Sequence, residues 1–70
     1  MEMKQVNAGK LRAIGYDAAT RVLRVEFDDR RLLDYAGVPS ETWQRLSTSS
    51  SMWSYFRDNI EDEYMARRVK

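Results

Sequence analysis

Apolar and polar residues alternate most strictly over residues 21–27, where Leu23, Val25 and Phe27 fall on one face of an extended chain and Val22, Arg24 and Glu26 on the other. That is the pattern of a strand with one dry side and one wet side. The period recurs over 31–36, with Leu33 and Tyr35 opposed to Leu32 and Asp34. It recurs again over 10–16, with Ile14 and Tyr16 on one face and Leu11 and Ala13 on the other. Asp17-Ala18-Ala19-Thr20 and Asp28-Asp29-Arg30-Arg31 separate these runs and read as tight reversals, so the three strands form an antiparallel meander. If the second reversal needs a left-handed residue, Arg30 costs about 1 kcal/mol or more there relative to glycine.

After Gly37-Val38-Pro39 the period changes. Proline cannot donate to a ladder and biases Val38 away from helical geometry, so the strand ends there. Ser40 is a good N-cap, Glu41 sits beside the positive end of the helix, and Trp43 and Leu46 share the inward face of a short helix over 41–47. The serine-rich run 47–51 reads as a helix-to-helix connection whose last serine caps a second helix over 52–62. Met52, Trp53, Phe56 and Ile60 form that helix's apolar stripe. The tail from Tyr64 onward is expected to add an edge strand. Residues 1–9 read as a flexible lead-in, loosely held unless Val6 docks on the core, and residues 10–70 as one domain. The predicted architecture is α+β: a three- to four-stranded antiparallel meander with two short helices packed on one face. Its dry interior is expected to gather Leu23, Val25, Phe27, Leu33, Trp43, Phe56 and Ile60.

Composition narrows the chemistry more than it names it. The chain has neither cysteine nor histidine. That removes disulfides, thiolate ligands, and the commonest general base and zinc ligand. Asp28-Asp29 and Glu61-Asp62-Glu63 lack the spacing of a calcium loop and read as solvated acidic turns, so no metal is expected. The serines have no base beside them to activate a hydroxyl, and no two carboxylates are fixed by a recognisable spacing, so no catalytic residue and no enzyme activity are expected. No cofactor or small-molecule substrate is expected either. The longest apolar stretch is a few residues and the N-terminal Met-Glu-Met-Lys-Gln lacks an apolar core, so no membrane association is expected and the cytoplasm is the default.

Twelve basic residues stand against eleven acidic ones, a net charge of +1. The global balance therefore argues against strong phosphate binding, and any such role rests on a local patch. Nine of the twelve basic residues are arginine, which favours planar pairing and stacking.

Read in order, Ala13-Ile14-Gly15-Tyr16-Asp17, Leu23-x-Val25-x-Phe27, Leu33-x-Tyr35 followed by Val38-Pro39, the serine run, Phe56, Ile60 and Tyr64 with Val69 resemble the KTSC domain. This is a short bacterial module found alone and at the C-terminus of some lysyl-tRNA synthetases. The similarity runs from about Leu11 onward, and residues 10–70 are thus expected to form a single KTSC-like domain. The resemblance implies an α+β fold and, from the attachment to a synthetase, RNA binding. Tyr35 and the helix serines are the motif positions that carry over, while Trp53 stands where the family commonly has a glycine.

The expected function is a small non-enzymatic binding module with RNA as ligand. Arg57, Arg67 and Arg68, with Tyr35 or Tyr55, are its candidate contacts, because exposed rings stack on bases and arginines pair with phosphates. A wider patch would add Arg12, Arg24, Arg31 and Lys70 if the tail pairs beside the sheet. For Arg24 and Arg31 the plainer expectation is cross-strand pairing with Glu26 and Asp34, worth only about 0.2–1 kcal/mol. The alternative function is a protein-interaction module or small homodimer anchored by Trp53 or Tyr55.

Overall fold

The computed structural model describes residues 1–69, so Lys70 lies outside the described residues. One antiparallel sheet runs in sequence order, β1 (Met3–Ala8), β2 (Leu11–Asp17), β3 (Val22–Phe27), β4 (Leu32–Tyr35) and β5 (Ala66–Arg68). Two helices, α1 (Ser40–Thr48) and α2 (Met52–Asn59), are inserted between β4 and β5. The α+β meander is as the alternation predicts, with five strands where three or four were expected.

The extra strand comes from the N-terminus. Residues 3–8 are not a flexible lead-in but pair with β2, with Met3 opposite Gly15 and Gln5 opposite Ala13. Val6 and Ala8 pack against the core, which is the condition under which this segment becomes ordered. At the other end the tail pairs with β4, Arg68 opposite Leu33 and Arg67 opposite Asp34, forming the expected edge strand.

Leu11, Ile14, Leu23, Val25, Phe27 and Tyr35 from the sheet close over Val38, Leu46, Phe56 and Ile60 from the helical layer. Five of the seven residues expected inside are fully buried there, and Leu33 and Trp43 are partly buried against them. Leu11 departs from the simple alternation. The β2–β3 register shifts between Leu11 and Ala13, so Leu11 faces Phe27 while Ala13 faces Glu26. This bulge puts Leu11 on the same dry side as Ile14 and Tyr16 and leaves Arg12 as the extra residue.

The helix ends also differ from expectation. Ser40 is the first residue of α1 rather than its cap; Pro39 occupies the cap position, and no side chain caps the helix. Ser51 does stand at the cap of α2, but its hydroxyl makes no capping bond. The serine run is held instead by Thr48 and Ser47 hydroxyls donating to the Gln44 carbonyl and by the Ser51 backbone N–H donating to the Ser49 hydroxyl. α2 stops at Asn59, short of residue 62. The Asn59 side chain donates to the Tyr55 carbonyl, and the following Glu61-Asp62-Glu63 would place three carboxylates at the negative end of a longer helix.

Candidate nucleic-acid interface

The helices cover one face of the sheet and leave the other open. Cross-strand partners share a face, so the open side carries Met3 and Gln5 from β1, Ala13 and Gly15 from β2, Arg24 and Glu26 from β3, Leu32 and Asp34 from β4, and Arg67 from β5. At its centre Arg24 donates from Nε and Nη2 to the two Asp34 oxygens at 2.7 and 3.0 Å, a bidentate pair between directly opposed residues. The Asp34 hydrogen bond holds the Arg24 guanidinium above its already high ordinary pKa, so it stays cationic. The expected partner Asp34 is therefore realised for Arg24.

Arg31 pairs elsewhere. Its backbone N–H and Nε both reach the Asp29 carboxylate inside the β3–β4 turn, and its guanidinium lies 4.8 Å from the centre of the Phe27 ring. The backbone N–H contributes most to holding the Asp29 carboxyl below its ordinary pKa.

Toward the β3–β4 turn the open face dips into a basin of about 530 Å³. Arg12, Arg24 and Arg30 line it, with Glu26, Gln5 and Leu32. Arg12 and Arg30 are exposed and form no ion pair among the described residues. Arg12 arrives there because the bulge makes it the residue without an opposite partner. Arg30 arrives because the turn residue has a left-handed backbone, φ 72°.

The expected contact residues do not converge. Arg67 falls on the open face by its register with Asp34. Arg68 has the opposite register on the same exposed edge strand. Arg57 lies on α2, in the covering layer, with its guanidinium 5.7 Å from the Trp53 ring. Tyr55, also on α2, lines a separate cleft of about 380 Å³ with Asp58, Glu63 and Tyr64. Arg45 also lines it but is paired with Glu41, so Asp58 and Glu63 leave the cleft net negative and a poor place for Tyr55 to meet RNA.

Tyr35 has to be withdrawn as a base-stacking ring. It is 2% exposed and packs edge-on to Phe56, with ring centres 5.4 Å apart. The other rings follow it. Tyr16 stacks on Trp43 at 5.5 Å and donates its hydroxyl to the Val38 carbonyl, and every aromatic side chain is either in the core or packed against it. The open sheet face thus offers arginines without rings. Sequence reasoning named Arg12 and Arg24 for a wider patch and missed Arg30, whose only signal was its poor fit to a left-handed turn.

Burial pushes the Tyr35 phenol above its ordinary pKa, and the Glu61 carboxylate pushes the same way. The folded protein therefore holds this proton more tightly than the unfolded chain, whose tyrosine titrates at about pH 10. The stability it contributes is complete below that pH and is lost as pH rises from there through the higher folded value. Tyr35→Phe keeps the ring and is expected to leave stability at neutral pH almost unchanged while flattening the alkaline loss. Urea midpoints measured on either side of the tyrosine range check this; an alkaline loss as steep in the variant as in the wild type would refute it.

Among the described residues no helix is long and apolar enough to cross a membrane, and no three His, Cys, Asp or Glu side chains group as a metal site.

Comparison with known proteins agrees with the fold. The KTSC domain family profile matches residues 7–64. A protein of Stutzerimonas stutzeri (strain A1501), described as uncharacterized, is 30% identical over 64 residues, covering 91% of this chain and 90% of the relative. The crystal structure of a KTSC domain protein from Yersinia pestis superposes with a TM-score of 0.94 at 25% identity, over 99% of this chain and 97% of that one.

Proposed function

The chain belongs to the KTSC domain family, and from that premise we propose that it is a non-enzymatic module that binds RNA through the open face of its sheet. The observation that carries the reading is the basin lined by Arg12, Arg24 and Arg30, with Arg67 on the same face. The net charge of +1 conceals a segregation. On the helical side Glu41, Asp58, Glu61, Asp62 and Glu63 outnumber Arg45 and Arg57, while on the open sheet Arg12, Arg24, Arg30 and Arg67 outnumber Glu26 and Asp34. A field divided in this way orients a polyanion toward one face even when the whole molecule is nearly neutral.

Absence of rings from that face makes the contact one of phosphates, which fix position without reading sequence. Affinity in the non-specific range, about 10⁻⁴ to 10⁻⁶ M at physiological salt, is the expectation. An intracellular setting beside RNA suits a chain without cysteine.

Fluorescence anisotropy of labelled single-stranded RNA across a salt series tests the proposal. Three or four neutralised phosphates give a log–log slope of about −2 to −3 for single strands. A flat response, or no binding at low salt, overturns the reading.

Self-association through Trp53 and Tyr55 is the weaker alternative. Trp53 is half-buried, stacked on Phe56 at 5.9 Å and covered by Arg57, so its ring is already spent inside the fold.

A further inference from the structure

Arg30 occupies a backbone conformation that its own side chain opposes. At φ 72° a residue with a Cβ is strained where glycine is not. The turn does not need an arginine side chain at that position. Its closure is made by backbone, the Arg30 N–H donating to the Phe27 carbonyl at 3.0 Å and the Phe27 N–H to the Arg31 carbonyl at 2.9 Å. The charge pairing that braces it comes from Arg31 and Asp29. The Arg30 guanidinium instead lines the basin without an ion pair among the described residues.

Arg12 reaches the same basin by a second local irregularity, the bulge in β2. Bulges and left-handed non-glycine residues both re-aim side chains at a cost in regularity, and here two independent ones converge on one concavity. Arg24, between them, has its charge partly answered by Asp34.

We propose that Arg30 and Arg12 are the direct phosphate contacts of the basin, that Arg30 is held in its turn at the expense of stability, and that together they grip the phosphodiester backbone of single-stranded RNA without reading its bases. This rests on the RNA reading above.

The structure supplies its own control. Arg21, in the β2–β3 turn at the opposite end of β3, is also left-handed, φ 56°, but does not line the basin. Arg30→Gly and Arg21→Gly remove the same charge and relieve the same kind of strain, so neither threatens folding.

The experiment measures melting temperature and binding of labelled oligouridine and oligoadenosine for the wild type and both variants. Each variant is expected to melt about 4–8 °C higher, the shift that about 1 kcal/mol produces in a domain of this size. Arg30→Gly is expected to weaken both RNAs about fivefold to tenfold and to make the salt slope shallower by about 0.7, while Arg21→Gly binds within about twofold of wild type. Wild-type affinities for the two oligomers are expected to agree within about threefold. Wild-type binding to neither oligomer brings down the RNA reading and this proposal together. If the wild type binds and Arg30→Gly binds as tightly, or Arg21→Gly loses as much, this proposal alone falls. A strong preference between the two oligomers overturns the claim that bases are not read.

Discussion

Replacing Phe56 with alanine is expected to cost about 3–5 kcal/mol, the range for deleting a fully buried aromatic ring. Phe56 has no exposed surface and sits where three other rings meet. It lies edge-on to Phe27 at 5.8 Å and to Tyr35 at 5.4 Å and stacked against Trp53 at 5.9 Å. Those contacts join β3, β4 and α2, so the cavity left behind opens between layers rather than within one. A domain of 70 residues has a total stability of only about 4–10 kcal/mol, so this single change takes a large share of it. Phe56→Leu fills part of the space and is expected to lose about half as much or less. Urea unfolding followed by tryptophan fluorescence and far-UV circular dichroism checks both. An alanine variant within about 1 kcal/mol of wild type contradicts the placement of this ring at the centre of the core.

The parts of the fold that were legible in the sequence are those set by a single period. Leu23, Val25 and Phe27 alternate without interruption, and the structure buries all three. Trp53, Phe56 and Ile60 recur at helical spacing, and the helix appears there with Ile60 just past its last residue. Tyr35 is instructive because the alternation and the family resemblance pointed opposite ways. Its spacing from Leu33 put it on the dry face, while its place in a family motif suggested a contact residue; packing followed the alternation.

What could not be read depends on partners distant in sequence. The register shift that turns Leu11 inward and frees Arg12 inserts one residue between two regular stretches, and nothing in Leu11-Arg12-Ala13 distinguishes it from an uninterrupted strand. The N-terminal strand was missed because Lys4, Gln5 and Asn7 are polar, as suits an edge strand with few buried positions. The helix N-termini were overread, because a serine in the right place is a necessary condition for a cap and not a sufficient one. The basin was illegible as a site for the same reason as the bulge: Arg12 lies near the start of β2 and Arg30 in the β3–β4 turn, and they meet only once the meander is closed.

The largest backbone-driven effect is expected at Gly9, in the turn between β1 and β2. Its φ is +58°, and a Cβ built there would lie 2.3 Å from Cγ of Trp53 and 2.6 Å from its Cβ. Two costs therefore add in Gly9→Ala, about 1–2 kcal/mol for the left-handed backbone and about 1–3 kcal/mol for overpacking. The atoms in the way are the root of the indole side chain, which cannot swing aside without moving α2, so relaxation offers little relief.

Trp53 stands where the resemblance expects a glycine, and Gly9 gives it room: the close approach of β1–β2 turn and α2 uses a glycine on the turn side. The two costs can be separated. In a Trp53→Gly background, which removes both the Cβ and the indole that stand in the way, the steric part disappears and Gly9→Ala is expected to cost only the backbone part, giving a coupling of about 1–3 kcal/mol between the two positions. Equilibrium unfolding of the four proteins in that cycle measures it. Additive single changes would mean that the turn and the helix do not touch at Gly9, and the seating of α2 on the sheet would have to be redrawn.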